Sequence, residues 1–105
     1  MDTLHCEELR GFDWNPDVET KLVDKHGVYP EEVEEACYDP QSIWHWEEGR
    51  RYLVFGCTGD GRYLFCLVRL TADCFVHPVT ARDMNQKERR RYEQVQADVE
   101  ANPSL

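Results

Sequence analysis

The hydrophobic pattern changes period in the middle third of the chain, and that change limits the architectures open to it. Residues 51–58 (RYLVFGCT), 62–70 (RYLFCLVRL) and 74–81 (CFVHPVTA) are rich in β-branched and aromatic side chains, the composition of strands. Gly59-Asp60-Gly61 separates the first two runs and reads as a hairpin turn, since glycine accepts positive φ. Thr71-Ala72-Asp73 predicts a second turn. Pro78 has no N–H to give a ladder, so the third run is expected at an edge or at a bulge. Residues 42–47 (SIWHWE) predict a further short strand ahead of these.

The flanks have helical signals. Residues 9–14 predict a short strand in which Phe12 and Trp14 share a face and Asp13 points away. Asn15 then caps a helix with Pro16 at its first position and Asp17 at the positive end of the dipole. That helix is expected to reach His26, where Gly27 supplies a left-handed stop. Pro30-Glu31-Glu32 starts a second helix with Val33, Ala36 and Cys37 buried, and Asp39-Pro40 ends it. Asn85 and Glu88 form a capping-box pair, and Tyr92, Val95 and Val99 make the apolar stripe of a last helix reaching about Ala101. The chain therefore reads as one α+β domain over 1–105, its core within about 9–101: a short N-terminal strand, two helices, an antiparallel sheet of 3–4 strands and a C-terminal helix.

With 105 residues, one modest core is affordable. No apolar run approaches the ~18 residues of a membrane span, and the first twenty residues lack the apolar stretch of an export signal, so the cytoplasm is the expected location. The five cysteines, Cys6, Cys37, Cys57, Cys66 and Cys74, contain no C-x-x-C pair. They are expected to stay reduced and to pack as small hydrophobes. Net charge is −9, unevenly spread: residues 1–48 hold 3 bases against 14 acids, whereas 49–92 hold 9 bases against 4 acids. A basic face on an acidic body would keep a nucleic-acid partner open.

Several phrases, in one order from about Phe12 to Tyr92, resemble the BrnT family, the toxin half of bacterial type II toxin–antitoxin pairs. Phe12-Asp13-Trp14-Asn15-Pro16 is similar to its F-x-W-D-P opening, with Asn15 where Asp is usual. Lys25-His26-Gly27-Val28 matches K-H-G-V, and Asp39-Pro40 matches the end of the second helix. Arg51 and Gly56 match an R-x-x-x-x-G strand. Thr80-Ala81-Arg82 resembles S-A-R, and Glu88-Arg89-Arg90-Arg91-Tyr92 matches E-R-x-x-Y. The resemblance implies a compact RelE-like fold, a ribonuclease that arrests translation, and a small DNA-binding antitoxin as partner. A non-catalytic relative, kept as a partner-binding or regulatory module, is the alternative that the acidic balance suits.

A metal-independent ribonuclease has to deprotonate a 2′-hydroxyl, stabilise a phosphorane and release a 5′-oxygen. Histidine suits the first task and arginine's fork suits the phosphate. The catalytic candidates are accordingly His77 and Arg82, with Lys25 and His26 added by the K-H-G-V resemblance; the substrate-binding candidates are Arg51, Arg62, Arg69 and Arg89. Each has a plainer reading. His77 also reads as a strand-packing histidine, His26 as a helix C-cap, Lys25 and part of the arginine run 89–91 as solvated charge. Trp44 and Trp46 share one face, as core, as an RNA-stacking platform or as an antitoxin-docking surface. Cys74 and His77 have C-x-x-H form, but a strand points them to opposite faces and only His5-Cys6 offers a second half. No metal or other cofactor is read from the sequence. RNA and the antitoxin are the expected partners, no membrane is, and a homodimer is left open.

Overall fold

Asn15 and Pro16 begin the first helix as their chemistry requires: the Asn15 side chain accepts the Asp17 N–H at 2.7 Å. A computed structural model of the chain describes Cys6 and residues 8–101, without the side chains of 99–101. His5, named with Cys6 as the only conceivable second half of a metal site, thus lies outside the described residues. Helix α1 (Pro16–Lys21) runs into a π-helical turn (Leu22–His26), so the segment expected as one α-helix widens over its last turn. Gly27 then sits at φ 62°, the left-handed stop. Helix α2 (Pro30–Tyr38) follows, its Glu32 carboxylate reaching back to the Tyr29 N–H at 3.0 Å.

Five strands form one sheet in the order β1-β5-β4-β3-β2. They are β1 (Gly11–Phe12), β2 (Ile43–Glu48), β3 (Arg51–Cys57), β4 (Tyr63–Leu70) and β5 (Phe75–Asp83). Strands β2 to β5 are antiparallel neighbours. The expected antiparallel sheet is β2–β5; the N-terminal strand is shorter than expected and joins its edge, Gly11 and Phe12 pairing in parallel with Phe75 and Val76, so the five-stranded sheet is mixed. Parallel pairing of so short a strand is possible because both helices intervene between β1 and the antiparallel strands, supplying the long crossover that parallel neighbours need.

Alternation is strict along β3 and β4 and breaks once along β5, after Pro78. Tyr52, Val54, Leu64, Cys66, Val68, Val76 and Ala81 are fully buried and pack with Leu22, Val33, Ala36 and Cys37 from the helices and Val28 from the link between them. Helix α2 lies so close to β3 that a Cβ on Gly56 would stand 2.0 Å from the Ala36 carbonyl oxygen. The opposite face is only partly covered. Helix α3 (Gln86–Ala101) starts with the expected capping box, Glu88 N–H to Asn85 Oδ1 at 2.8 Å and Asn85 N–H to Glu88 Oε1 at 3.0 Å. It meets one end of this face through Tyr92, which is buried edge-on to Tyr63. Val95 is exposed, so the expected apolar stripe narrows to Tyr92, and the Val99 side chain lies outside the described residues. Trp44 packs against the core beside Tyr52; Trp46 is exposed.

The cysteines depart from expectation. Cys6 and Cys74 form a disulfide across a sequence separation of 68. Cys37, Cys57 and Cys66 are free thiols. No spacing motif announces the bond, because the fold and not the local sequence brings the two residues together.

Candidate functional site

Pro78 decides which face His77 occupies. Along β4 and β5 the ladder runs Leu67 opposite Thr80 and then Val68 opposite Pro78, leaving Val79 as an extra residue. An unbroken register would have set His77 against Leu70, towards the helices. The bulge instead sets His77 against Arg69, because a one-residue slip exchanges the two faces of a strand. On β3, Arg51 is the partner of Arg69. Arg51, Arg69 and His77 therefore form a row across three strands on the face that the helices α1 and α2 leave open.

His77 is oriented from β1. Its Nδ1 lies 3.1 Å from the Asp13 carbonyl oxygen and 3.6 Å from the Asp13 carboxylate. An Nδ1–H donated to that carbonyl leaves Nε2 as the acceptor nitrogen, and Nε2 has no partner among the described residues. Asp13 is the functional residue that motif reading missed, although its placement away from Phe12 and Trp14 was readable. Arg69 is exposed and makes no ion pair among the described residues. Arg51 has one loose pair, with Glu47 at 3.6 Å, both side chains 43% exposed.

The other end of the same strands is closed. Arg62 donates to Asp83 at 2.7 and 3.2 Å, to Glu32 at 2.9 Å, and to the Gly27 and His26 carbonyls at 2.9 and 3.4 Å. Its guanidinium thus joins the end of the π-turn, α2 and the end of β5, on the helix side of the sheet. The Asp83 hydrogen bonds push the Arg62 pKa up, and Arg62 holds the Asp83 carboxyl below its usual range. Arg82 makes a two-pronged pair with Glu88 at 2.8 and 2.9 Å and lies 4.4 Å over the Phe65 ring. Glu88 raises the Arg82 pKa and is itself lowered in return. Arg89 lies 4.2 Å over Tyr63 and 3.7 Å from Glu93.

The eight sequence candidates therefore separate into two groups. His77, Arg69 and Arg51 stand together. Arg62, Arg82 and Arg89 belong to the closed end, as do Lys25 and His26, which are exposed where the π-turn ends and where the His26 charge is felt by Asp83. Six residues of β5 separate Asp83 from His77, roughly 20 Å at ~3.3 Å per residue. Asp39, noticed in the sequence only as a helix terminator, is a further tie at the closed end. Its carboxylate accepts from the Cys57 and Gln41 N–H groups and from the Tyr92 hydroxyl. Burial first, then Asp39, pushes the Tyr92 pKa up.

Between the two groups the open face carries a groove of about 370 Å³. Ile43, Leu53 and Phe55 form its apolar side and Lys87 and Arg91 stand on its α3 rim. Among the described residues no group of three or more His, Cys, Asp or Glu side chains is arranged to hold a metal ion, and no helix is long and apolar enough to cross a membrane.

No protein-family model matches the sequence, and no curated protein is detectably similar to it. Among solved structures, the crystal structure of the Brucella abortus ribonuclease toxin BrnT is similar, with a TM-score of 0.61 over 72% of this chain and 97% of that one, at 12% identity. The fold is BrnT-like.

Proposed function

We propose that the chain is a BrnT-like ribonuclease toxin whose reaction takes place at the Arg51–Arg69–His77 row, with a small DNA-binding antitoxin as its partner in a type II pair. The row itself carries the reading: a histidine with one nitrogen fixed by a backbone carbonyl and the other without a partner among the described residues, beside an arginine that makes no ion pair among them. His77 Nε2 takes the proton of an RNA 2′-hydroxyl, and the 2′-oxygen attacks the adjacent phosphorus. Arg69, with Arg51 behind it, stabilises the negative charge on the phosphorane oxygens. The P–O5′ bond breaks, leaving a 2′,3′-cyclic phosphate on one fragment and a 5′-hydroxyl on the other. Water protonates the leaving oxygen, because arginine does not give up a proton in proteins. The apolar groove continues along the same face, where bases of the bound strand rest on Phe55 and the phosphates meet Lys87 and Arg91.

One observation favours the second reading, a non-catalytic partner-binding relative. Arg62 and Arg82, two of the cations that the ribonuclease reading would place on RNA, are both neutralised by carboxylates. The two readings separate in one assay. Purified chain incubated with RNA in the presence of a chelator is expected to yield fragments ending in 2′,3′-cyclic phosphate. Intact RNA, together with unaffected growth of cells expressing the chain, would select the partner-binding reading.

A further inference from the structure

The disulfide lies next to the row just described, on a strand whose backbone is paired over two residues only, while Leu9, Phe12 and Trp14 pack against the core and the Trp14 indole N–H donates to Glu34 at 2.8 Å. Cys6 is buried and joined to Cys74, the residue before β5. The ladder of β1 against β5 contains two residue pairs, Gly11 with Phe75 and Phe12 with Val76. Two further backbone bonds flank it, Arg10 N–H to the Cys74 carbonyl at 2.9 Å and Asp13 N–H to the Val76 carbonyl at 2.8 Å. Asp13 is the residue that fixes the His77 ring.

We propose that Cys6–Cys74 is a thiol-exchange site, taking a dithiol reductant as its co-substrate, and that its redox state sets whether β1 holds His77 in position. Two features mark Cys74 as the sulfur attacked. It is partly exposed, whereas Cys6 is 5% exposed. It is also held at φ 69°, the one non-glycine residue with positive φ among those described, a conformation that favours glycine. A thiolate of the reductant attacks Cys74 Sγ, and the S–S bond breaks. Its electron pair leaves on Cys6 Sγ, which takes up a proton. The second thiol of the reductant attacks the mixed disulfide and releases Cys74 as a thiol. Two electrons and two protons pass to the protein, and the reductant is left as a disulfide. Cys37 and Cys66 are buried together in the core, the Cys37 thiol pushed well up by its hydrogen bond to Cys66 and by burial, and the partly exposed Cys57 on β3 is pushed up by burial and then by Asp39.

Reduction removes the cross-link beside a ladder of two residue pairs, so the backbone bonds of Arg10 and Asp13 open locally before the sheet does. The consequence for RNA cleavage rests on the ribonuclease reading above; the exchange chemistry and the opening do not. Intact-mass measurement after alkylation in denaturant tests the first step on the full chain purified without reductant. Three alkylated cysteines are expected, and five after dithiothreitol. Five without reductant would overturn the proposal. Hydrogen exchange tests the second step: the Arg10 and Asp13 amides are expected to exchange at least tenfold faster in dithiothreitol, while β3 and β4 amides hold. Unchanged protection of both amides, or a Cys6→Ser variant indistinguishable from the oxidised chain, would overturn it. In the cleavage assay the reduced chain is expected to lose at least tenfold. Equal cleavage by both forms would refute control of the site, whereas a chain that cleaves in neither form but opens on reduction would refute the ribonuclease reading alone.

Discussion

Where β4 begins and β5 ends, Arg62 and Arg82 each close a two-pronged pair with a carboxylate. At the other end of the same strands, Arg69, without an ion pair among the described residues, stands beside His77, and the Arg51–Glu47 pair is an exposed one at 3.6 Å. The residue type is the same and the chemistry differs, because Asp83 at the end of β5, Glu88 at the start of α3 and Glu32 on α2 all stand at one end. Glu32 arrives on α2 and meets Arg62 there. The difference shows that a basic stretch in an acidic chain does not act as a unit: the fold neutralises one part and leaves another able to meet a phosphate.

The comparison breaks or holds first at His77. His77→Ala is expected to lower RNA cleavage by about 10²–10⁴-fold, the usual contribution of a general base, with an unchanged thermal midpoint, since the side chain is at the surface. Arg69→Ala is expected to cost about 10²-fold in cleavage, as loss of one charge-stabilising donor does, and to flatten the salt dependence of RNA binding. At the closed end the effect moves to stability. Arg62→Ala removes hydrogen bonds to three elements, so a loss of about 1–2 kcal/mol is expected by thermal or denaturant unfolding, with cleavage per folded molecule kept.

Smaller still is the acid response of the closed end. Asp83 and Glu88 have carboxyls held below their ordinary range by Arg62 and Arg82. Their contribution is complete above the unfolded carboxylate range near ~4 and is lost as pH falls through the lowered folded values. With Asp83 61% exposed, solvent screening keeps each contribution below about 1 kcal/mol. Acid titration of stability is expected to be shallower in the Arg62→Ala, Arg82→Ala double variant than in the parent. Arg51→Ala is the weakest change for stability, within about 0.5 kcal/mol because its pair is exposed.

Local chemistry was legible wherever it acts through neighbours in sequence. The Asn15 cap, the Gly27 stop, the Asn85–Glu88 box and the Gly59-Asp60-Gly61 turn are each fixed by residues within three or four positions, and the structure has them. Pro78 announced a bulge, but not that the bulge would move His77 opposite Arg69, since that depends on the register of another strand. The Arg62 clamp and the Cys6–Cys74 bond span 21 and 68 residues or more, distances at which sequence spacing carries no geometry. The parallel placement of β1 was hidden for the same reason: two residues hold no periodicity that distinguishes one direction from the other.

The division of labour between the two ends is tested most directly by measuring RNA cleavage and thermal midpoint side by side for His77→Ala and Arg62→Ala. A crossed result is predicted: His77→Ala inactive with the parental midpoint, Arg62→Ala active per folded molecule with a lowered one. Parental cleavage by His77→Ala, or abolished cleavage by a fully folded Arg62→Ala, would contradict the assignment and move the chemistry to the closed end.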